Sequence, residues 1–375
     1  MKTIDDAMGD VAGLRRAIEA SEFDAVIALS PENVQWTADV EISTQRSIRD
    51  RLAVIIWAKG QEPVFVLCQV EEGYVRQQSW IRDVRSYKEF VTLPIRLVAE
   101  VLREKGLAGA RLGCEMEYLA ATYLNALARE LPRLTLEPCE QLFRRARMLK
   151  TRREREVIAS GYRGTEKALL ATYATATVGE DEFSLRRRLS DHILLSGADD
   201  VAFCHINAGA NTGFPHAGAT SYRVQPGDIV KADCGGHYRG YLSNVGRTAK
   251  MGAPTVDELD MWKRLRDIHH AVADRLRPGN CGRELFELAA QLHAKHDIPF
   301  PYAHNGHSIG LEAHEAPLIN PYDETPYEPG MISTVETRVR FVGVKGLHME
   351  DLYEITDGAP ILLSDAFDNE EIFVI

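Results

Sequence analysis

The amino-acid sequence predicts an α/β domain followed by an α+β domain. The chain has 375 residues, more than a single hydrophobic core usually accommodates, so two domains are expected. In residues 1–150, short β-branched runs alternate with amphipathic helical stretches, as in α/β domains. In residues 151–375, helices are combined with pairs of strands separated by turn residues, a pattern typical of α+β domains.

The predicted elements of the first domain are strands alternating with helices. Apolar, β-branched runs bounded by turn residues predict strands at 24–30, 52–58, 63–68 and 110–115. Apolar residues at helical spacing predict helices at 97–106 and 118–131. A segment dense in Arg and Glu, residues 141–179, is also predicted to be helical. We place the domain boundary inside this segment, near residue 150.

A first β-hairpin is predicted early in the second domain. The strand IVKAD is followed by the loop CGGHYRG and the returning strand YLSNVGRT. With a turn about Tyr238 and Arg239, Asp233 lies directly opposite Asn244. Because paired residues on adjacent strands point to the same face, both side chains are expected to project together.

A second predicted hairpin pairs the segment STVE with the segment HMEDLYEIT. A turn about Gly343 places Glu336 opposite Glu350. Each hairpin is therefore expected to present two oxygen-bearing side chains on one face.

Side chains of the second domain fall in the order and settings of a carboxylate-rich metal site. They are Asp233, Asn244, His307, Glu336 and Glu350. Acids, an imidazole and an amide on apolar segments are unfavourable unless something compensates them, and a hard divalent cation does so. The alternative interpretation is that the acids are exposed or form salt bridges, with Arg247, Arg338 and Arg340 as structural partners.

Composition and charge exclude several classes of function. The net charge of −11 argues against nucleic acid as the main partner. No apolar run approaches the length of a membrane span, and the amino terminus lacks the apolar core of a signal peptide. The six cysteines are scattered without a CxxC pair, which predicts buried thiols of a cytoplasmic protein.

Motifs in the second domain resemble those of the pita-bread metallopeptidases, which include aminopeptidase P, prolidase, methionine aminopeptidase and the metal-free creatinases. The matching segments are FPHAG (214–218), KADCGGHYRGYLSNVGRT (231–248), GHSIGLEAHEAP (306–317), PGMISTVE (329–336) and HMEDLYEIT (348–356). The resemblance covers nearly the whole chain. It implies a creatinase-like α/β amino-terminal domain followed by an α+β pita-bread catalytic domain.

The resemblance also implies a set of metal ligands. Asp233 would bind one metal ion through both oxygens, and position 244 and Glu350 would bridge two ions. His307 and Glu336 would complete the coordination of the second ion. The implied cofactor is one or two divalent ions of manganese, cobalt, zinc or iron, or none if the chain is creatinase-like.

Three residues would carry catalytic roles by the same resemblance. Glu336 would receive the proton of the attacking water. His216 and His314 would line the substrate pocket and hydrogen-bond the scissile carbonyl and the tetrahedral intermediate. Such contacts strengthen as negative charge develops in the transition state. The ordinary alternative for each histidine is a core or surface position.

The chain departs from the family pattern at three positions. Asn244 stands where the family has a bridging aspartate, His348 stands where arginine is frequent, and Thr337 follows Glu336 where proline is usual. An amide is neutral, so the remaining acids supply three negative charges against the four positive charges of two divalent ions.

These observations favour a metal-dependent peptidase that cleaves short peptides before proline. The second hypothesis is a creatinase-like C–N hydrolase or lyase acting on a small amide, with a reduced or absent metal site. The third is a catalytically inactive homologue. The resemblance further implies a homodimer, and Trp36, Trp57 and Trp80 are candidates for exposed interface residues, with a buried core position as the alternative.

Overall fold

A computed structural model of the chain describes residues 2–48 and 50–375. These residues form two compact units that divide between Arg147 and Met148. The sequence-based limits, 1–150 and 151–375, stay a prediction of where separate domains end and begin.

The first unit contains a six-stranded mixed sheet flanked by helices. Its strands are β1 (Ala25–Ala28), β2 (Val54–Ala58), β3 (Val64–Cys68), β4 (Asp83–Tyr87), β5 (Arg111–Cys114) and β6 (Thr135–Pro138). Its helices are α1 (Val11–Ala20), α2 (Pro31–Ala38), α3 (Ser43–Ser47), α4 (Glu72–Gln78), α5 (Pro94–Glu104) and α6 (Ala121–Glu130). The strand order is β4-β3-β2-β1-β5-β6. All of the predicted strands and helices of this unit are present, whereas β4 and β6 were not predicted.

The tryptophans of the first unit lie in its interior. Trp36, Trp57 and Trp80 are each at most 5% exposed, and the rings of Trp57 and Trp80 are 5.7 Å apart. The interpretation of these residues as exposed interface candidates is therefore wrong, because their rings fill the core.

The long helical segment predicted at 141–179 is two helices. Helix α7 (Glu140–Met148) ends before Thr151, and helix α8 (Arg152–Ala174) begins after it. The Thr151 hydroxyl accepts a hydrogen bond from the Glu154 amide, and the Glu154 carboxylate accepts one from the Thr151 amide. This capping box stabilises a new helix start.

The second unit contains a larger, mainly antiparallel sheet covered by helices. Its strands are β7 (Asp200–Ala208), β8 (Ile229–Tyr238), β9 (Tyr241–Leu242), β10 (Val245–Lys250), β11 (His307–Ser308), β12 (Glu315–Leu318), β13 (Ile332–Phe341), β14 (Lys345–Glu354), β15 (Ile361–Leu362) and β16 (Phe373–Val374). Its further helices are α9 (Glu182–Leu195), α10 (Val256–Ala273) and α11 (Gly282–Lys295). The central order is β13-β14-β10-β8-β7, and β11 pairs with β12 separately. Helix α10 packs on β13, where Leu265 and Ile268 are fully buried.

The first predicted hairpin forms with a different register. Asp233 lies opposite Gly246 and not opposite Asn244. The turn is made by Arg239 and Gly240, both with positive φ, as in the two-residue turns whose twist matches that of the strands. The prediction was therefore wrong by two residues. Because side chains alternate with a period of two, position 244, directly before β10, is expected on the same face as position 246.

The second predicted hairpin is confirmed. Glu336 pairs with Glu350 in the β13–β14 ladder, and Gly343 in the connecting loop has a φ of 71°. The two glutamates therefore share one face of the sheet.

Two predictions from composition can be compared with the structure. Each of the six cysteines is free and buried, as predicted. Across residues 2–48 and 50–375, none of the helices combines the length and apolar character needed to cross a bilayer.

Candidate functional site

A cavity of about 410 Å³ lies in the second unit. Its walls carry side chains from strands and loops of the large sheet and from the segment between α11 and β12. They are Phe203, His205, His216, Asp233, Asn244, His304, His307, Ala313, His314, Glu336, Arg338, Arg340 and Glu350. All seven residues predicted as metal ligands or catalytic groups therefore line a single cavity.

The sheet positions the carboxylates of this cavity. Asp233 lies in β8, Glu336 in β13 and Glu350 in β14. The backbone of Glu350 is held by the buried guanidinium of Arg247, which also donates to Asp351 at 2.8 Å and to Glu166. Arg247 therefore anchors the strand that carries Glu350 and pairs with none of the predicted ligands' carboxylates.

Glu336 forms an ion pair inside the cavity. Its Oε2 atom lies 2.5 Å from Nη1 of Arg338, whose side chain is 4% exposed. Burial alone would raise the pKa of Glu336, but Arg338 and then His348 lower this pKa well below its usual range. The salt-bridge alternative raised from the sequence thus applies to Glu336 and Arg338. Arg340 lies farther away, with Nη2 3.9 Å from Oε1 of Glu336.

Glu350 has the opposite electrostatic environment. Burial, followed by the charges of Glu336 and Asp233, raises the pKa of Glu350 well above its usual range. Asn244 donates a hydrogen bond from Nδ2 to Oε1 of Glu350 at 3.1 Å. The amide thus occupies a position where a second carboxylate would repel Glu350.

His307 presents an unprotonated nitrogen to the acids. Its Nδ1 lies 3.0 Å from the carbonyl oxygen of Ser308, and a carbonyl can only accept, so Nδ1 carries the proton. Nε2 then carries a lone pair, which lies 3.5 Å from Nδ2 of Asn244 and 3.4 Å from Oε1 of Glu350. This is the tautomer that binds metal ions, with the second nitrogen fixed by a backbone carbonyl.

His216 and His314 lie at the rim of the cavity. Nε2 of His216 is 3.7 Å from Oδ2 of Asp233, and the His314 ring stacks on that of His307 with centroids 4.0 Å apart. His314 is exposed on one side, yet the buried part of its ring and the neighbouring His307 lower its pKa to about 4. His314 is therefore neutral at pH 7 and has one N–H to donate.

A buried ion pair holds the loop that carries His314. Nζ of Lys150 donates to Glu315 at 2.9 Å and to the Ser308 hydroxyl at 3.1 Å. Glu315 also accepts hydrogen bonds from the backbone amides of Leu311 and Glu312. These contacts tie both ends of the loop to one lysine.

Several polar residues of the site were not predicted as functional. Arg338 and Arg340 line the cavity together with His304, and His348 contacts the glutamates from the interior. Residues 336, 338 and 340 alternate along one strand, so the period of two could have placed both arginines on the face of Glu336. His348 could have been placed in the same way, two residues before Glu350.

The donor atoms in and beside this cavity suit a divalent cation. Within the described part of the chain, Oδ1 of Asn244 is buried without a hydrogen-bond partner, and so are both ring nitrogens of His348. Together with the lone pair of His307 and the three converging carboxylates, these orphaned donor atoms fit a bound cation.

Comparison with family models identifies both parts of the chain. Residues 156–357, just over half of the chain, match the model for metallopeptidase family M24. Residues 11–149 match the model for the creatinase/prolidase N-terminal domain.

Individual relatives agree with these matches. The chain is 30% identical over 213 residues to a protein named Xaa-Pro dipeptidase from Pyrococcus furiosus. That alignment covers 56% of this chain and 61% of the relative, so the chain spans about three fifths of its length.

Solved structures agree with the fold. The Xaa-Pro dipeptidase from Bacillus anthracis superposes with a TM-score of 0.87 at 22% identity, covering 97% of this chain and 99% of that one. Dipeptidase PepE from Mycobacterium ulcerans superposes with a TM-score of 0.85 at 25% identity, covering 97% and 96%. The predicted order of domains and the predicted class, a metallopeptidase-type hydrolase, are confirmed. The chain belongs to metallopeptidase family M24 and carries a creatinase/prolidase amino-terminal domain ahead of its pita-bread domain.

Proposed function

We propose that this protein is a divalent-metal-dependent dipeptidase that hydrolyses Xaa-Pro substrates. The observation that carries the proposal is the convergence of all seven predicted residues on one cavity of about 410 Å³, a size suited to a small peptide. The relatives named Xaa-Pro dipeptidase support the choice of substrate.

The proposed ligands are Asp233, Asn244, His307, Glu336 and Glu350. We propose one tightly bound ion, on the side of His307, Glu336 and Glu350. A second dication near Asp233 would be poorly neutralised, because only three carboxylates are present and Arg338 already neutralises Glu336. A divalent cation supplies a water of lowered pKa and polarises the carbonyl under attack.

The protein's own groups would move the proton and stabilise the developing charge. Glu336 is a carboxylate at neutral pH because Arg338 opposes the effect of burial on its pKa, so it is in the form that accepts a proton. His314 is neutral and can donate its N–H to the carbonyl oxygen. His216, beside Asp233, is the second proposed donor.

Arg340 supports a substrate with a free carboxylate. Its side chain is 15% exposed and lines the cavity. Among the residues described, its Nε has no hydrogen-bond partner, and the nearest acid, Glu336, is paired with Arg338. A guanidinium that lines the cavity and whose neighbouring acid is already paired matches the carboxyl terminus of a dipeptide.

We also propose a cytoplasmic homodimer. The buried, unpaired state of all six cysteines supports a reducing compartment. The dimer rests on the resemblance to the family alone. Sedimentation at micromolar concentration tests it, and a stable species at the mass of one chain, 41.9 kDa, would contradict it.

A turnover screen tests the proposed activity. Purified protein, stripped with chelator and reloaded with Mn²⁺, is assayed on Xaa-Pro dipeptides, on Xaa-Ala dipeptides and on small guanidino and amide compounds. We expect hydrolysis of Xaa-Pro dipeptides that is lost on chelation. Ala-Pro amide is the control for the proposed role of Arg340. It lacks the free carboxylate that Arg340 would bind, so it should be cleaved poorly.

The same screen separates the alternative hypotheses. Turnover of guanidino or amide compounds without metal would support a creatinase-like enzyme, which Asn244, Thr337 and His348 favoured at the level of sequence. No turnover of any substrate, with metal bound, would support an inactive homologue.

A further inference from the structure

His348 lies in a square of polar residues on the β13–β14 hairpin. Glu336 pairs with Glu350, and Arg338 pairs with His348. All four side chains therefore point to one face of the hairpin, because paired residues and residues two apart share a face. His348 is 1% exposed and does not line the cavity, so it reaches the two glutamates from the protein interior.

The imidazole of His348 is close to both glutamates and has unused nitrogens. Its Nε2 is 3.1 Å from Oε1 of Glu336 and 3.8 Å from Oε2 of Glu350. Neither ring nitrogen makes a well-aligned hydrogen bond to any residue that the structure describes. Buried polar atoms are nearly always satisfied, so an Nε2 atom that lies 3.1 Å from a carboxylate oxygen without an aligned hydrogen bond can take a different partner there.

Gly246 makes the space that this ring occupies. Gly246 lies opposite Glu350 on the neighbouring strand β10, and a Cβ atom at this position would lie 2.6 Å from Cε1 of His348. A side chain at residue 246 would displace the imidazole. The backbone is thus shaped to hold the ring against the glutamates.

Arg338 leaves one oxygen of Glu336 available. The guanidinium pairs with Oε2, whereas Oε1 faces Nε2 of His348. One donor atom each from Glu336, His348 and Glu350 lie within 4.8 Å of one another. Two carboxylates and one imidazole are an ordinary ligand set for divalent zinc, manganese, iron or cobalt, and the imidazole disfavours magnesium and calcium.

We propose that His348 is a metal ligand, and that it joins Glu336 and Glu350 in holding the one tightly bound divalent transition-metal ion, as a donor in addition to His307. His348 supplies the donor that Asn244, as a neutral amide, supplies poorly. This inference rests on the proposed metal dependence, but it concerns where the ion binds and is tested by binding measurements.

The test compares variants of the full-length protein after removal of metal with chelator. Each protein is titrated with Co²⁺ alone, and the affinity and the visible absorption spectrum are measured. His348→Gln should weaken Co²⁺ binding by at least about tenfold and change the spectrum. His293→Gln is the matched control, since His293 is also buried with an unpartnered Nε2 but lies on helix α11, outside the group of Glu336, His348 and Glu350. The control should leave both readouts unchanged.

A second measurement needs no variant. A crystal of the natural sequence soaked in Zn²⁺ and measured at the zinc absorption edge should show an anomalous peak about 2.0–2.1 Å from a ring nitrogen of His348. A peak that contacts Asp233 or His307 but not His348 overturns the inference, as do unchanged Co²⁺ affinity and spectrum in His348→Gln. Absence of metal binding by the natural chain would also overturn the proposal that His348 is a metal ligand. The proposed substrate is tested separately, by turnover of Xaa-Pro dipeptides.

Discussion

Replacing Asn244 by aspartate tests the charge balance of the site most directly. Nδ2 of Asn244 donates to Oε1 of Glu350 at 3.1 Å, and both residues are buried. In Asn244→Asp this donor becomes a second acceptor, so two carboxylates would face each other at that distance. With an effective dielectric constant of about 20, the repulsion between their charges is about 5 kcal/mol.

The variant can relieve this repulsion by binding a proton or a cation. Tenfold tighter binding of a divalent ion corresponds to about 1.4 kcal/mol, roughly a quarter of the repulsion. We therefore expect Mn²⁺ to bind at least tenfold more tightly, and occupancy to rise from about one ion per chain towards two. Without metal, the variant should be less stable than the natural chain at pH 8 and closer to it at pH 5, where the pair retains a proton.

The assay combines metal analysis with isothermal titration of Mn²⁺ into chelator-treated protein. Asn207→Asp is the control, because Asn207 is buried in β7 but does not line the cavity; it should be destabilised without any gain in metal. The reasoning is refuted if the natural chain already binds two ions with similar affinity. It is equally refuted if Asn244→Asp gains neither affinity nor occupancy.

Further predictions concern other residues of the cavity. His314→Ala should lower kcat on an Xaa-Pro dipeptide by about 100-fold, because a single oxyanion donor is worth about 3 kcal/mol; metal analysis should show unchanged content, and a loss of metal would make His314 a ligand. Arg338→Met should destabilise the metal-free protein by about 3–5 kcal/mol, since the buried Glu336 loses its closest cationic partner. Calorimetric melting should show that Mn²⁺ restores part of this loss, and equal losses with and without Mn²⁺ would contradict the pairing argument. The raised pKa of Glu350 means that the folded state keeps a proton that the unfolded state releases above its ordinary pKa of 4.5, so metal-free stability should fall as pH rises. In Glu350→Gln, urea unfolding between about pH 5 and pH 8 should lose this part of the pH dependence, and an unchanged slope would contradict the assignment.

The two hairpins show what could be predicted from the sequence and what could not. The pairing of Glu336 with Glu350 followed from the position of Gly343, because a glycine between two apolar runs marks the turn. In the first hairpin, two adjacent pairs of residues could form the turn. The prediction placed the turn at Tyr238-Arg239, whereas the structure has it at Arg239-Gly240. A shift of the turn by one residue moves the register by two, and only the three-dimensional twist of the strands decides between them.

The convergence of distant residues was predicted only through the family resemblance. Spacing alone does not bring His307 and His314 to the carboxylates, because the loop that carries them is held by Lys150 and Glu315 through contacts more than a hundred residues apart. The role of His348 was missed for another reason, and Arg338 was considered only as a structural partner of the acids. Both lie on the face predicted for the glutamates, but charge pairing inside a cavity depends on burial, which the sequence does not give.

The three-residue loop between β13 and β14 connects the two strands that carry Glu336 and Glu350. Phe341 pairs with Lys345 at the ends of this loop. This pairing fixes the register of the hairpin, and therefore which residue of β14 lies opposite each residue of β13. If an insertion or deletion in 342–344 slipped the pairing by one residue, the side chains of one strand would turn over and its glutamate would face the opposite side of the sheet. A homologue keeps this acid pair only if its loop, whatever its length, preserves the pairing of Phe341 with Lys345. When the chemistry of a newly sequenced relative is inferred, the length of this loop should be compared before its residues are.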